Sequence, residues 1–317
     1  MSNYSILSQN DIEALHEATL NLMGEYGVCV FGDAAQEILG GAGCDVDKET
    51  GRVLFPRNVV NDCIESAPPT FVLYGRDPED RSKDVEIGGD NVTFTTFGTG
   101  VMLLDPYTGK RRESTLQDLA DIARFADAVD EVNTITTPVA AQDVPEEIKE
   151  LYEAEALFAN SSKPIGHDAD GGENTRQIIR IAAAIAGGAE ALRERPIVSM
   201  GACPNSPLEI HASAAEQIIE AAKAGIPMDV LSMGLCGGTT PVTVAGTLLT
   251  TNCEVLAGIV LGQLTCKGAP MVYGSSTTIM DLKLATSPVG APEHAMIGAA
   301  VAEIGKFYRI PTDVGGT

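Results

Sequence analysis

From about residue 91 onward, apolar and polar positions fall into a repeating two-part pattern. A short apolar run is followed by a polar or glycine-rich stretch and then by apolar residues at helical spacing. The runs are VTFTTFG from Val92, VNTITTPV from Val132, PIGHD from Pro164, PIVSMGACP from Pro196, PMDVLSMG from Pro227, PMVYGSS from Pro270 and IPTDVGG from Ile310. Between them lie amphipathic stripes such as Leu116, Leu119, Ile122, Ala123 and Ala126, or Ile178, Ile179, Ile181, Ala182 and Ile185. Apolar positions three and four apart share one face of a helix. Five of the runs open on Pro or Ile-Pro, which suits a strand's first residue because proline needs no ladder hydrogen bond there.

Run starts recur roughly every 30 to 43 residues, the length of one strand–helix unit. Alternating strands and helices predict a parallel sheet, either doubly wound or closed as a (β/α)8 barrel. The loops after the strands favour the barrel. FGTG, AAQD, HDADGG, ACPNSP, MGLCGG and GSSTT are polar or glycine-rich in every unit. A barrel spreads functional loops round one rim, whereas a doubly wound sheet gathers them at a switch point. Only seven strands can be counted, so the expected fold is an incomplete barrel over 91–317, lacking its C-terminal part.

Residues 1–90 lack the repeat and are expected to form an α+β cap. It would hold a helix over Ser8–Tyr26 capped from SQND, a second from Asp33, a third over Pro56–Ser66, and a hairpin turning near Asp77–Asp84. The apolar stretch Val242–Leu264 is interrupted by Asn252 and Glu254 and reads as a buried helix rather than a membrane span.

Composition narrows the function. Hydrophobic residues make up 44% of the chain, which fits a globular protein. The net charge of -23 repels nucleic acid and anionic membrane and favours cationic ligands. MSNYSILSQNDIEALHE lacks the apolar core of a signal peptide, and the seven cysteines are scattered without a CxxC pair, so a reducing cytoplasm is expected.

Candidate chemistry is sparse. His167, Cys203 and Cys236 follow successive strands, but no local pair of ligands supports a zinc site, and no metal is expected. DADGGENT and GLCGGTT match no phosphate-binding motif and read as turns. Phe97 and Tyr273 at strand ends, with Glu293 in GAPEHA, could form an aromatic and carboxylate site for a methylated ammonium. Each also has a structural explanation, packing for the rings and the helix dipole for the carboxylate. Ser275 opens a hydroxyl-rich cluster with no evident base.

LYGRDPED, TFGTGV, PIVSMGACPNSPLEI, GIPMDVLSMGLCGGTTPVTVAGTL, NCEVLAGIVLGQL and YGSSTTIMDLKLATSPVGAPEHAMIGAAVAEIGKFYRIP resemble the trimethylamine:corrinoid methyltransferase family. The similarity runs from near residue 8 to the last residue. It implies a (β/α)8 barrel that continues past Thr317. In the trimethylamine enzymes a motif like PTDVGGT is followed by pyrrolysine, encoded by an amber codon, so Thr317 is expected to precede it. The chain would then be an amber-truncated reading, inactive alone.

The implied reaction moves a methyl group from trimethylamine to cob(I)alamin on a partner corrinoid protein, with no cofactor bound directly by this chain. The imine of pyrrolysine would take up the amine as a quaternary ammonium. Glu293 is the candidate to stabilise that cation, with Phe97, Tyr273, Ser275, Gly315 and Gly316 around the substrate. Two alternatives stand beside this reading. One is a homologue without pyrrolysine acting on a quaternary amine such as glycine betaine; the other is an inactive fragment or non-catalytic binding protein. A homo-oligomer is compatible with the sequence.

Overall fold

In the computed structural model, residues 5–315 are described. In chain order the first elements are α1 (Gln9–Glu25), β1 (Val28–Val30), α2 (Asp33–Gly41), β2 (Asp45–Val46), β3 (Arg52–Leu54), α3 (Arg57–Ser66), β4 (Thr70–Leu73) and β5 (Val85–Gly88). There follow β6 (Met102–Leu104), β7 (Arg111–Glu113), α4 (Leu116–Asp127), β8 (Ile135–Thr136), α5 (Lys149–Asn160), β9 (Ile165–Asp168), α6 (Gly171–Ala186) and α7 (Ala189–Glu194). The remainder are β10 (Val198–Ala202), β11 (Glu209–Ile210), α8 (Ala212–Ala224), β12 (Met228–Ser232), β13 (Leu235–Cys236), α9 (Val244–Thr265), β14 (Met271–Ser275), β15 (Thr278–Ile279), α10 (Pro292–Tyr308) and β16 (Thr312–Val314).

The chain divides into two compact units, and their boundary is not the expected one at residue 90. One unit holds residues 1–70, 202–223 and 228–317; the other holds 71–201 and 224–227. The reason lies in pairing. β1 runs parallel to β11, with Cys29 opposite Glu209, and antiparallel to β3, so the N-terminal segment shares a sheet with residues 180 positions away. Helices α1, α2 and α3 also pack on α9.

Within the first unit, β12, β14 and β16 form a parallel ladder, with Leu231 opposite Gly274 and Gly274 opposite Asp313. β14 is buried along all five residues, as befits a parallel strand covered on both faces. Proline places each strand start as expected. The carbonyls of Pro270 and Pro311 accept from Met228 N–H and Tyr273 N–H at 3.0 and 2.8 Å, while the prolines themselves have no N–H to leave unpaired.

The core of this unit is α9, 22 residues that include the buried Asn252 and Glu254. Among the described residues it is the one helix long and apolar enough to cross a membrane, and 78% of its most apolar window is buried by protein. The N-terminus of α1 is closed reciprocally, Ser8 Oγ accepting from Asp11 N–H and Asp11 accepting from Ser8 N–H, as SQND foretold.

In the second unit, β8, β9 and β10 run parallel, with Ile165 opposite both Ile135 and Val198. The expected strand at Val92 does not form. It contributes an isolated parallel bridge between Thr95 and Thr134. The Phe94 carbonyl accepts from Asn133 N–H at 2.8 Å, but side chains take the other bonds a ladder would use: Phe94 N–H donates to Asn133 Oδ1 at 2.8 Å and Thr136 N–H to Thr95 Oγ1 at 3.1 Å. The β6–β7 hairpin was not foreseen. Its turn is organised by Asp105, whose carboxylate accepts from the N–H groups of Tyr107 and Thr108.

Candidate functional site at the strand exits

The three parallel strands of the first unit end side by side at Ser232, Ser275 and Val314, and their exits are woven together. Ser276 N–H donates to Ser232 carbonyl at 3.0 Å, and Gly315 N–H donates to Ser275 carbonyl at 3.0 Å. Thr277 Oγ1 donates to the Ser232 carbonyl and accepts from Gly234 N–H at 3.1 Å. The hydroxyl-rich run after β14 is therefore the stitching of this rim. Ser275 Oγ accepts from Thr277 N–H at 3.2 Å and is buried.

Beneath the rim, Glu254 on α9 is fully buried and accepts three hydrogen bonds: from Ser232 Oγ at 2.6 Å, Ser206 Oγ at 2.8 Å and Leu208 N–H at 2.9 Å. Burial pushes its carboxyl above the usual range, and the three donors hold it back. It ties the loop after β10 to the end of β12. In that loop Leu208 takes a left-handed conformation with φ 59°.

On the opposite face of the ladder from α9, Asp229 and Asp313 form a hydrogen-bonded carboxyl pair. Val230, the neighbour of Asp229, points instead at Gly258 of α9. The pair spans β14 at Gly274. A Cβ added there would lie 2.2 Å from Asp229 Oδ1, so only glycine lets the carboxyl cross. Burial pushes the Asp313 carboxyl up, opposed by the bond to Asp229. A hydrogen bond between two carboxyls needs a proton on at least one of them, so the pair does not hold two negative charges.

The residues singled out in the sequence are placed as follows. Tyr273 is buried on the helix side of β14, its hydroxyl donating to Asn252 Oδ1 at 2.7 Å, and does not face the strand-exit cluster. Asn252 Nδ2 in turn donates to Thr19 Oγ1 and to the Tyr308 hydroxyl at 2.8 and 2.9 Å. Glu293 is partly exposed in the first turn of α10. Gly315 and Ser275 are brought together, whereas Gly316 and Thr317 lie outside the described residues. In the second unit Phe97 is 70% exposed.

Beside Gly315 stands His294, which the sequence reading passed over. It is buried on α10, and a Cβ on Gly315 would lie 2.9 Å from its Nε2 and 3.3 Å from Ser276 Oγ. The stripe His294, Ile297, Val301, Ile304 and Tyr308 is buried along α10, so helical periodicity carried the signal.

His167 of the second unit is buried, with Nδ1 bonded to the Asp168 carbonyl, and desolvation pushes its imidazole down to about 4. Among the described residues no three His, Cys, Asp or Glu side chains are grouped to hold a metal ion.

Comparison with known proteins places this architecture. The sequence model of the trimethylamine methyltransferase (MTTB) family matches residues 1–317. A trimethylamine methyltransferase MttB of Desulfitobacterium hafniense is 47% identical over 309 residues, covering 98% of this chain and 62% of that protein. The enzyme of the same name from Methanosarcina thermophila is 41% identical, covering 99% and 65%. A glycine betaine methyltransferase of D. hafniense is 32% identical, covering 100% and 65%. The crystal structure of the Methanosarcina barkeri monomethylamine methyltransferase MtmB aligns with a TM-score of 0.55 at 14% identity, covering 96% of this chain and 67% of that one.

The fold is thus α/β, built from the strand–helix units of an incomplete (β/α)8 barrel. The chain belongs to the trimethylamine methyltransferase family, and it spans 62–65% of the length of these curated relatives.

Proposed function

We propose that the protein carrying this chain transfers a methyl group from trimethylamine to the cob(I)alamin of a partner corrinoid protein. The observation that carries the reading is the whole-chain family match, with 47% identity to a trimethylamine enzyme against 32% to a glycine betaine enzyme. The corrinoid would supply a cobalt nucleophile that accepts the methyl group. This chain's residues would bind the amine and hold it in line at the strand exits, where the barrel fold keeps its chemistry.

The carboxyls of Asp229 and Asp313, which can accept hydrogen bonds and carry negative charge, support a cationic or neutral amine over an anion on that face. The PTDVGGT motif supports pyrrolysine directly after Thr317.

The test pairs a sequence with an assay. The codon after Thr317 is expected to be amber, within a continuing reading frame. The complete protein, mixed with its reduced corrinoid partner, is expected to convert cob(I)alamin to methylcobalamin with trimethylamine, as absorbance reports. A sense codon with methyl transfer from glycine betaine alone would replace this reading with the betaine one.

A further inference from the structure

One chain of hydrogen bonds ties α1 to α9 and α10, and the direction of every bond in it is determined. Thr19 Oγ1 donates to the Leu15 carbonyl at 2.8 Å, so it accepts from Asn252, and the atom facing it is the amide Nδ2. The second Nδ2 hydrogen goes to the Tyr308 hydroxyl at 2.9 Å, while Asn252 Oδ1 takes the Tyr273 proton at 2.7 Å. Tyr308 has its own hydrogen left to give. Its remaining partner among the described residues is His16 Nδ1 at 3.2 Å, so that nitrogen accepts and the ring proton sits on Nε2.

The chain closes only while His16 is neutral. A proton on Nδ1 sets a donor against a donor, and Tyr308 cannot turn its hydrogen towards Asn252, because Nδ2 donates there. His16 is half-buried rather than sealed, so protons reach it. Its ring lies edge to face with Phe307 and Tyr308, with centroids 5.6 and 5.5 Å away. The charges acting on it are Glu17, beside it on α1, and Arg57 of α3, which pairs with Glu17. α10 faces it with the uncharged Phe307 and Tyr308, and α9 reaches it through the uncharged Asn252. Burial disfavours the charged ring, Glu17 favours it and Arg57 opposes it; the balance holds the imidazole below its ordinary 6.5.

We propose that His16 is an acid-sensitive latch on α1. Neutral, it accepts from Tyr308 and pins α1 to α10; protonated, it loosens the helix and bares Leu20 and Met23, which are sealed in the closed form. A second hold limits the movement. Glu303 of α10 accepts from the N–H groups of Ile6 and Leu7, both at 2.8 Å, so the segment just before α1 stays tethered while the helix lifts. The inference does not depend on which methyl donor the protein uses.

The experiment follows hydrogen exchange of α1 in the complete protein from about pH 8 to 5, corrected for the pH dependence of chemical exchange. Protection of Gln9–Glu25 is expected to hold down to about pH 6.5 and then to fall by up to about tenfold per pH unit, the slope of one linked proton. The sign follows from the lowered imidazole: the opened helix takes up the proton first as pH falls. His16→Gln, whose amide oxygen can accept from Tyr308 but does not titrate, is expected to remove the slope. An equal slope in His16→Gln, or level protection in wild type, would overturn the proposal.

A second measurement is independent of helix opening. Nitrogen-15 NMR of the four histidines, with His16→Gln to assign the signal, is expected to show neutral His16 protonated on Nε2. Tyr308→Phe deletes the hydrogen given to Nδ1 and is expected to move the His16 titration upward. A proton on Nδ1, or a midpoint unmoved in Tyr308→Phe, would overturn the hydrogen bond on which the latch depends.

Discussion

Replacing Glu254 tests whether one buried carboxylate anchors the strand exits. Its three donors are 2.6, 2.8 and 2.9 Å away. The hydroxyls of Ser206 and Ser232 can rotate towards other acceptors, but Leu208 N–H is fixed by its backbone. Glu254→Ala leaves that donor stranded, at about 1–3 kcal/mol, and weakens two further charge-assisted bonds. It also removes one buried methylene, worth roughly 0.8 kcal/mol. The expected loss is about 3–6 kcal/mol, or roughly 5–9 °C in Tm for a chain of 317 residues.

Glu254→Gln keeps an oxygen for Leu208 and offers an amide to hydroxyls that can turn to accept, so it is expected to cost about 1–2 kcal/mol. The pH dependence supplies a second check. Because the folded carboxyl is raised above 4.5, the unfolded state loses its proton first as pH rises. Wild-type stability from this group therefore falls as pH climbs above 4.5, and the wild-type advantage over Glu254→Gln shrinks in step. Calorimetry from pH 4 to 8 reads both effects. An alanine variant no less stable than the glutamine one, with a pH-independent gap, would refute the account.

Other expectations follow from the same geometry. His167, lowered from 6.5 to about 4, is expected to make stability fall as pH drops from 6.5 to 4, by roughly 3 kcal/mol at most; His167→Gln should flatten that limb in calorimetry. Gly274→Ala puts a methyl group 2.2 Å from Asp229 Oδ1 and 2.9 Å from the Leu231 backbone, and should cost about 2–4 kcal/mol in denaturant unfolding. Asp313→Asn removes the raised carboxyl while keeping a donor for Asp229. It should be at least as stable as wild type at neutral pH and lose that advantage as pH falls towards 3.8. Asn252→Leu leaves the hydroxyls of Thr19, Tyr273 and Tyr308 without their shared partner, and should lower stability by about 2–4 kcal/mol by the same measure.

Much of the fold was legible because it depends on local pattern. Prolines marked strand starts, and the stripes of α4 and α6 gave their buried faces. The long apolar run gave α9, although Asn252 and Glu254, read there as interruptions, are its principal anchors. The site was less legible. β14 is buried on both sides, so a period of two could not say which way Tyr273 points. In the first turn of α10, neighbouring residues point about 100° apart. Glu293 was chosen for its charge, whereas its neighbour His294 is the residue that the buried stripe of α10 turns inward beside Gly315. Nothing local told that Val28–Val30 would pair with Glu209–Ile210, because that register is set by distant residues.

The parallel pairing of β1 with β11 also bears on how the chain is made. Synthesis delivers α1 first, yet its packing surface on α9 is complete only at Thr265, 240 residues after Glu25. At about 5–20 residues per second, the apolar stripe of α1 waits on the order of 12–48 s on the ribosome before its partner emerges. Leu20 and Met23, sealed in the finished protein, are open to chaperones and to neighbouring nascent chains throughout that interval.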